Sequence, residues 1–275
     1  MPHQADYRLL WIIGVIVAPP VLVLIELFHP AGFTATPGMF EFLREAQPHT
    51  AAHKALDYFG PDWWFWLHMI QTPLVCLIAV GLVLTVTAVG GAPGRSVAVA
   101  ASSWAARIAV FIFAVYYTAL DAIGGIGLGR TLQLVNQLAT QTQYLKGGEV
   151  VACTDSAGGP AVCLNDVQVE GVALVLNQSW IDPWVGGVGS IISLTGSWAI
   201  FIAAVLIALT IVLARGVARI GALRWTSLVC LIAGGWIIQV SHACCTGPLG
   251  FGLIFLFGCL TWWVTSREAR PRTSA

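Results

Sequence analysis

The chain has 275 residues, 57% of them hydrophobic and only 9% charged, with a formal net charge of zero and a mean hydropathy of +0.82. Water-soluble globular proteins carry about a quarter charged residues, so this composition excludes an ordinary soluble domain and points to a chain that crosses a membrane several times. No basic cluster suggests nucleic acid, and no P-loop, dinucleotide fingerprint or G-x-S-x-G implies a nucleotide or a serine hydrolase.

In chain order, the first apolar run, "LLWIIGVIVAPPVLVLIELF", predicts a span over about residues 8–28. No A-x-A-like site follows it, so it reads as a span and not as a cleaved signal. It closes on "IELFHP", which places Glu26 and His29 three residues apart on one helical face. A long polar connection over about 31–60 follows, where Thr36 before Pro37 predicts a capped surface helix. Further along it, "HTAAHKALD" puts His49, His53 and Asp57 at i, i+4, i+8, the spacing of a paired metal site that exposed amphipathic helices also produce.

The second span is expected over about 62–89, with His68 in "WWFWLHMIQTP" beside Gln71, Thr72 and Pro73. The third, about 96–128, holds Asp121 in "YYTALDAIGGIGLG", where Gly124 and Gly125 allow close approach to the backbone. A second long connection, about 129–185, contains "CTDSAGGPAVC", and Cys153 and Cys163 are expected to form a disulfide if that loop faces an oxidising compartment. The fourth span, about 186–213, opens with a small-residue stripe of Gly186, Gly189, Ser190, Ser193 and Ser197 suited to helix packing. The fifth, about 223–241, ends at "SHACCTGP" with His242 beside Cys244 and Cys245, and the sixth covers about 250–265. Cys76, Cys230 and Cys259 fall within spans and read as packing residues, while Trp63, Trp64, Trp66, Trp180 and Trp184 suit one interfacial belt and Trp262 and Trp263 the other.

The expected fold is therefore an all-α six-helix membrane bundle, a single domain over 1–275 with two long extracytoplasmic loops carrying short helices. The basic residues set its orientation. With the N-terminus inside, nine of the thirteen fall on the cytoplasmic side (Arg8, Arg95, Arg107, Arg215, Arg219, Arg224, Arg267, Arg270, Arg272), and Arg44, Lys54, Arg130 and Lys146 fall outside. The positive-inside rule then places both termini in the cytoplasm and the chain in the cell's inner membrane.

In that frame Glu26, His29, His68, Asp121 and His242 occupy one layer roughly 10 Å deep at the outer ends of the helices, at 1.5 Å of rise per residue. An ionisable side chain in hydrocarbon costs a few kcal/mol, so each needs a partner, water or a purpose. Three imidazoles and two carboxylates match the donors of a zinc, iron or copper site, with His29, His68 and His242 as ligands and Glu26 and Asp121 as ligands, orienting groups or the base that activates bound water. Such a site suits a hydrolase or oxidoreductase acting on a lipid-borne or periplasmic substrate. Two alternatives stand beside it. His68 and His242 could ligate a b-type haem, with Gly124, Gly125 and Gly235 making room for the macrocycle. Or the polar layer only fixes helix packing, in a non-catalytic subunit that docks other membrane subunits through its loops. No span carries lysine, which excludes a retinal-type Schiff base, and the inner halves lack the ionisable residues of a through-membrane path.

The series "ELFHP", "WLHMIQTP", "YYTALDAIGGIGLG" and "SHACCTGPLGFG" resembles a loose set of bacterial six-span membrane proteins without an established activity. The resemblance implies the six-span architecture and nothing about chemistry.

Overall fold

The structure, a computed structural model, describes residues 3–29, 61–91, 94–153, 163–187, 189–241 and 246–268. Six helices are long and apolar enough to cross a membrane: Tyr7–Glu26, Asp62–Gly90, Val97–Thr140, Ile191–Arg215, Ala222–Val240 and Thr246–Glu268. The chain divides into two compact units. The first comprises Met1–His29, Ile70–Ala119 and Ile192–Ala275, the second Pro30–Met69 and Leu120–Ile191.

The chain begins with α1 (His3–Ile12), a π-helical turn (Ile13–Val17) and α2 (Ala18–Glu26). The cause of the break is local: Pro19 and Pro20 have no N–H to give to the carbonyls of the preceding turn, so the α-helical ladder cannot run through. Two glycines use the result. Gly14 lies against Leu77 and Gly81 of α3 (Pro61–Gly90), where a Cβ would meet the Gly81 Cα at 2.9 Å. Gly258 of the last helix, α9 (Thr246–Glu268), lies against the Val15 carbonyl that Pro19 leaves without its donor. Backbones therefore touch on both sides of the π turn, and any side chain there would push the helices apart.

α4 (Val97–Leu120), α7 (Ile191–Arg215) and α8 (Ala222–Val240) complete the helices of the first unit. Its core is mainly apolar, with Leu22, Ile78, Phe113, Ile200, Phe251 and Phe257 fully buried. Short polar ties cross it: Trp11 Nε1 donates to Thr85 Oγ1 at 2.8 Å, Thr210 Oγ1 donates to Ser102 Oγ at 3.0 Å, and the Ser227 and Thr261 hydroxyls are 2.8 Å apart.

In the second unit a second π-helical segment, Asp121–Gly127, leads into α5 (Leu128–Thr140). A hairpin follows, in which β1 (Gln143–Lys146) pairs antiparallel with β2 (Glu149–Ala152), Lys146 opposite Glu149. Gly147 and Gly148 have φ of +60° and +92°, which two-residue hairpin turns require. Cys153 and Cys163, their Cα atoms 4.7 Å apart, form the disulfide that closes the hairpin onto α6 (Asp166–Trp180). α6 starts with a capping box in which Asn165 and Gln168 exchange side-chain to backbone hydrogen bonds at 3.0 Å. Leu128, Leu132 and Val135 of α5 pack with Trp64 against Val169, Val172 and Leu176 of α6.

These elements revise two sequence boundaries. The third span's helix runs on to Thr140, because "TLQLVNQLAT" keeps an apolar face that the second unit buries. The fourth helix begins at Ile191 and not at Gly186, because Asp182 Oδ1 accepts from Trp184 N and Val185 N at 2.8 and 2.9 Å and holds that stretch as a turn. Gly186, Gly189 and Ser190 thus lie outside the helix, and Gly196 makes its close contact, 2.9 Å from a built Cβ to the Tyr117 nitrogen. The surface helix expected near Thr36, and His49, His53 and Asp57, lie outside the described residues.

Candidate functional site

The ionisable residues singled out in the sequence are buried wherever they are described. In the first unit Glu26 is the last residue of α2 and fully buried, and His29, one turn on, is 2% exposed, its backbone N–H donating to the Glu26 carbonyl at 3.1 Å. The i, i+3 relation of the sequence thus becomes a single turn that carries both groups. The same unit holds Gln71, fully buried, whose Nε2 donates to the Tyr117 hydroxyl at 3.3 Å while its Oε1 meets no hydrogen-bond donor among the described residues. Tyr117 packs edge-on against Phe113, ring centroids 5.3 Å apart, which fixes the hydroxyl that Gln71 meets. A buried amide oxygen left unmatched costs about 1–3 kcal/mol, so Gln71 is a polar group built into an apolar wall at a cost.

In the second unit His68 is 4% exposed and Asp121 1% exposed. His68 Nδ1 lies 2.7 Å from the Trp64 carbonyl one turn back in α3. A carbonyl only accepts, so Nδ1 carries the proton, and in the neutral ring the lone pair sits on Nε2. The ring also packs on the Trp64 indole, centroids 4.6 Å apart, and against Gly125, where any Cβ would run into it. Trp64 in turn donates from Nε1 to the Gly124 carbonyl at 3.0 Å and meets Trp180 edge-on at 6.0 Å. Asp121 opens the π segment that contains both glycines. Because π bonding runs from i to i+5, Asp121 and Gly125 return to about the same side of that segment, the side that receives His68.

Three observations bear on the sequence expectations. Trp64 is 1% exposed and holds His68 and the π segment together, whereas Trp66 and Trp184 are 55% and 66% exposed. The space at Gly124 and Gly125 is filled by Trp180 and His68, and that at Gly235 by Ala204 and Ile200, so these glycines serve packing. Among the described residues, no three His, Cys, Asp or Glu side chains gather as a set that could hold a metal ion. His242 lies outside the described residues, as do Cys244 and Cys245.

Sequence reading missed the role of Trp64, and the signal was there: an aromatic four residues before a histidine shares its face. Comparison with protein families, with curated proteins and with solved structures finds no match to this chain.

Proposed function

We propose that the chain is an integral membrane protein that binds a transition-metal ion at a buried histidine and carboxylate site, with His68 as a ligand through Nε2 and Asp121 as its carboxylate. The observation that carries the reading is the His68 Nδ1 contact with the Trp64 carbonyl at 2.7 Å inside a nearly dry setting. Metal-bound imidazoles characteristically donate their other ring N–H to a carbonyl or carboxylate, which selects the tautomer and aims the ligating nitrogen. Glu26, His29 and His242 are the further donors that the sequence offers. In a hydrolytic role the metal supplies Lewis acidity and a carboxylate serves as base toward a lipid-borne or periplasmic substrate.

We place this site on the outer face of the inner membrane, with both termini inside. Supporting that orientation, Arg8, Arg215 and Arg224 line one cavity in the first unit although they belong to the first, fourth and fifth candidate spans. An up-and-down chain with a cytoplasmic N-terminus brings those three ends to one side, and the positive-inside rule names that side.

Elemental analysis and an absorption spectrum of the purified full-length protein test the reading. A stoichiometric metal that His68→Ala abolishes, with the variant still inserted, supports it. A Soret band replaces it with the haem reading. Neither signal leaves a non-catalytic subunit of a larger membrane complex, and metal retained by His68→Ala makes His68 structural.

A further inference from the structure

The first unit holds a cavity of about 790 Å³ at the arginine-rich ends of its helices, a volume typical of small-molecule sites. Its walls are largely apolar, with Trp11, Leu84, Ile211 and Leu228 among them, and they carry three guanidinium groups, Arg8, Arg215 and Arg224. An adjoining cavity of about 390 Å³ shares Ala88, Val89 and Arg215 and adds Arg95 and Arg219.

Among the described residues, the charges that line these cavities do not balance. Two ion pairs end on the same carboxylate here, Glu268, which lies 3.4 Å from Arg215 and 3.1 Å from Arg224. Arg8 stands over the Trp262 ring at 4.4 Å, and Arg95 donates to the Ala214 carbonyl at 3.0 Å, so neither is neutralised by an acid in those contacts. Arg224 is nine-tenths buried, and a cation held so far from water against one shared carboxylate favours an added anion. Guanidinium groups match phosphate oxygens two at a time, and basic pockets between membrane helices are suited to acidic headgroups.

We propose that this cavity is a binding site for an acidic phospholipid, its phosphate on Arg8, Arg215 and Arg224 and its acyl chain along Trp11, Leu84 and Leu228. The charge surplus selects against zwitterionic lipids, whose ammonium group the arginines repel. The apolar wall selects against free phosphate, which brings no chain to cover it. In the absence of the lipid Glu268 holds Arg215 and Arg224 in place, and on binding it competes with the headgroup for them. The site is independent of the proposed metal centre.

The test uses the full-length protein in nanodiscs of phosphatidylcholine doped with phosphatidylglycerol, read by the ratio of the two lipids retained after detergent extraction and by native mass spectrometry. Wild-type protein is expected to retain phosphatidylglycerol well above its bulk share, and each of Arg8→Gln and Arg224→Gln to reduce that enrichment about fivefold. Glu268→Gln is expected to raise it by releasing two arginines. Ala88→Trp, which fills the cavity and leaves the arginines intact, is expected to abolish it, while Arg130→Gln in the second unit leaves it unchanged. Enrichment that inorganic phosphate removes as readily as excess phosphatidylglycerol, enrichment that survives Ala88→Trp, or a wild-type ratio equal to bulk overturns the proposal.

Discussion

Gly125 receives the imidazole of His68 on its bare Cα, and this contact gives the clearest test of the second unit at the scale of one residue. Replacing it with alanine puts a methyl group where the ring stands, so the ring must turn off its Trp64 carbonyl or the π segment must move. Overpacking of this kind costs about 1–3 kcal/mol. Gly125→Ala is therefore expected to lower the thermal unfolding midpoint of the protein in detergent, and to lose bound metal if His68 is the ligand proposed. Gly171 supplies the contrast, since it lies within α6 with no atom within 4 Å of a built Cβ. Gly171→Ala is expected to be neutral or to stabilise by up to about 1 kcal/mol, because helical glycine is less favourable than alanine by that amount. Equal destabilisation by the two variants would mean that the His68 packing is not as described. The buried site residues were legible in the sequence because hydropathy makes an ionisable group in an apolar run conspicuous. Their surroundings were not, since glycine, tryptophan and a backbone carbonyl leave no such mark, and Gly124 and Gly125 read equally well as room for a ligand or as seats for Trp180 and His68.

Among the elements, the π turn at Ile13–Val17 and the hairpin of the second unit respond to opposite kinds of change. Gly14 is in backbone contact with α3, so Gly14→Leu must force the two helices apart, and a loss of at least about 1–3 kcal/mol is expected, read as a lower unfolding midpoint. The hairpin glycines have open space around them, so Gly147→Ala is strained only by its positive φ, about 1 kcal/mol, and protease cleavage near the turn is expected to rise without a change in global unfolding. The disulfide ten residues apart at the hairpin's end is worth about 3 kcal/mol on the loop-entropy relation, so Cys153→Ser is expected to release the same region to protease more strongly than Gly147→Ala does. The long helices and the cysteine pair were legible because apolar length and two cysteines in one polar loop each admit few arrangements. The hairpin was missed although "KGGE" between two short β-prone runs is a turn signal, because the preceding residues alternate weakly and continue a helix to Thr140. Neither π segment has a sequence signature beyond a nearby proline pair or glycine run, and those same residues usually mark a kink or a cap.

For the whole molecule, orientation decides which solution each cluster of charges meets. The arginine cavity gathers the ends of the first, second, fourth, fifth and sixth candidate spans at one end of the first unit. The disulfide hairpin follows the third candidate span, so an odd number of candidate spans separates it from the N-terminus. If the arginines are cytoplasmic, the cysteines are outside, where a disulfide persists; if the chain were inverted, a reducing compartment would hold the pair as thiols and nine of thirteen basic residues would have crossed the membrane. Charge retention and redox chemistry are unrelated forces, and the direction proposed above is the one that satisfies both. Fusions at single positions measure it. Alkaline phosphatase inserted at the Gly147 turn is expected to be active and green fluorescent protein at the Gly94 turn to be fluorescent, with both signals exchanged if the direction is wrong. Replacing Arg215, Arg219 and Arg224 with glutamine together is expected to weaken the preference, and a mixed signal from both reporters in that variant would show that the arginines, and not the loops alone, hold the chain in place.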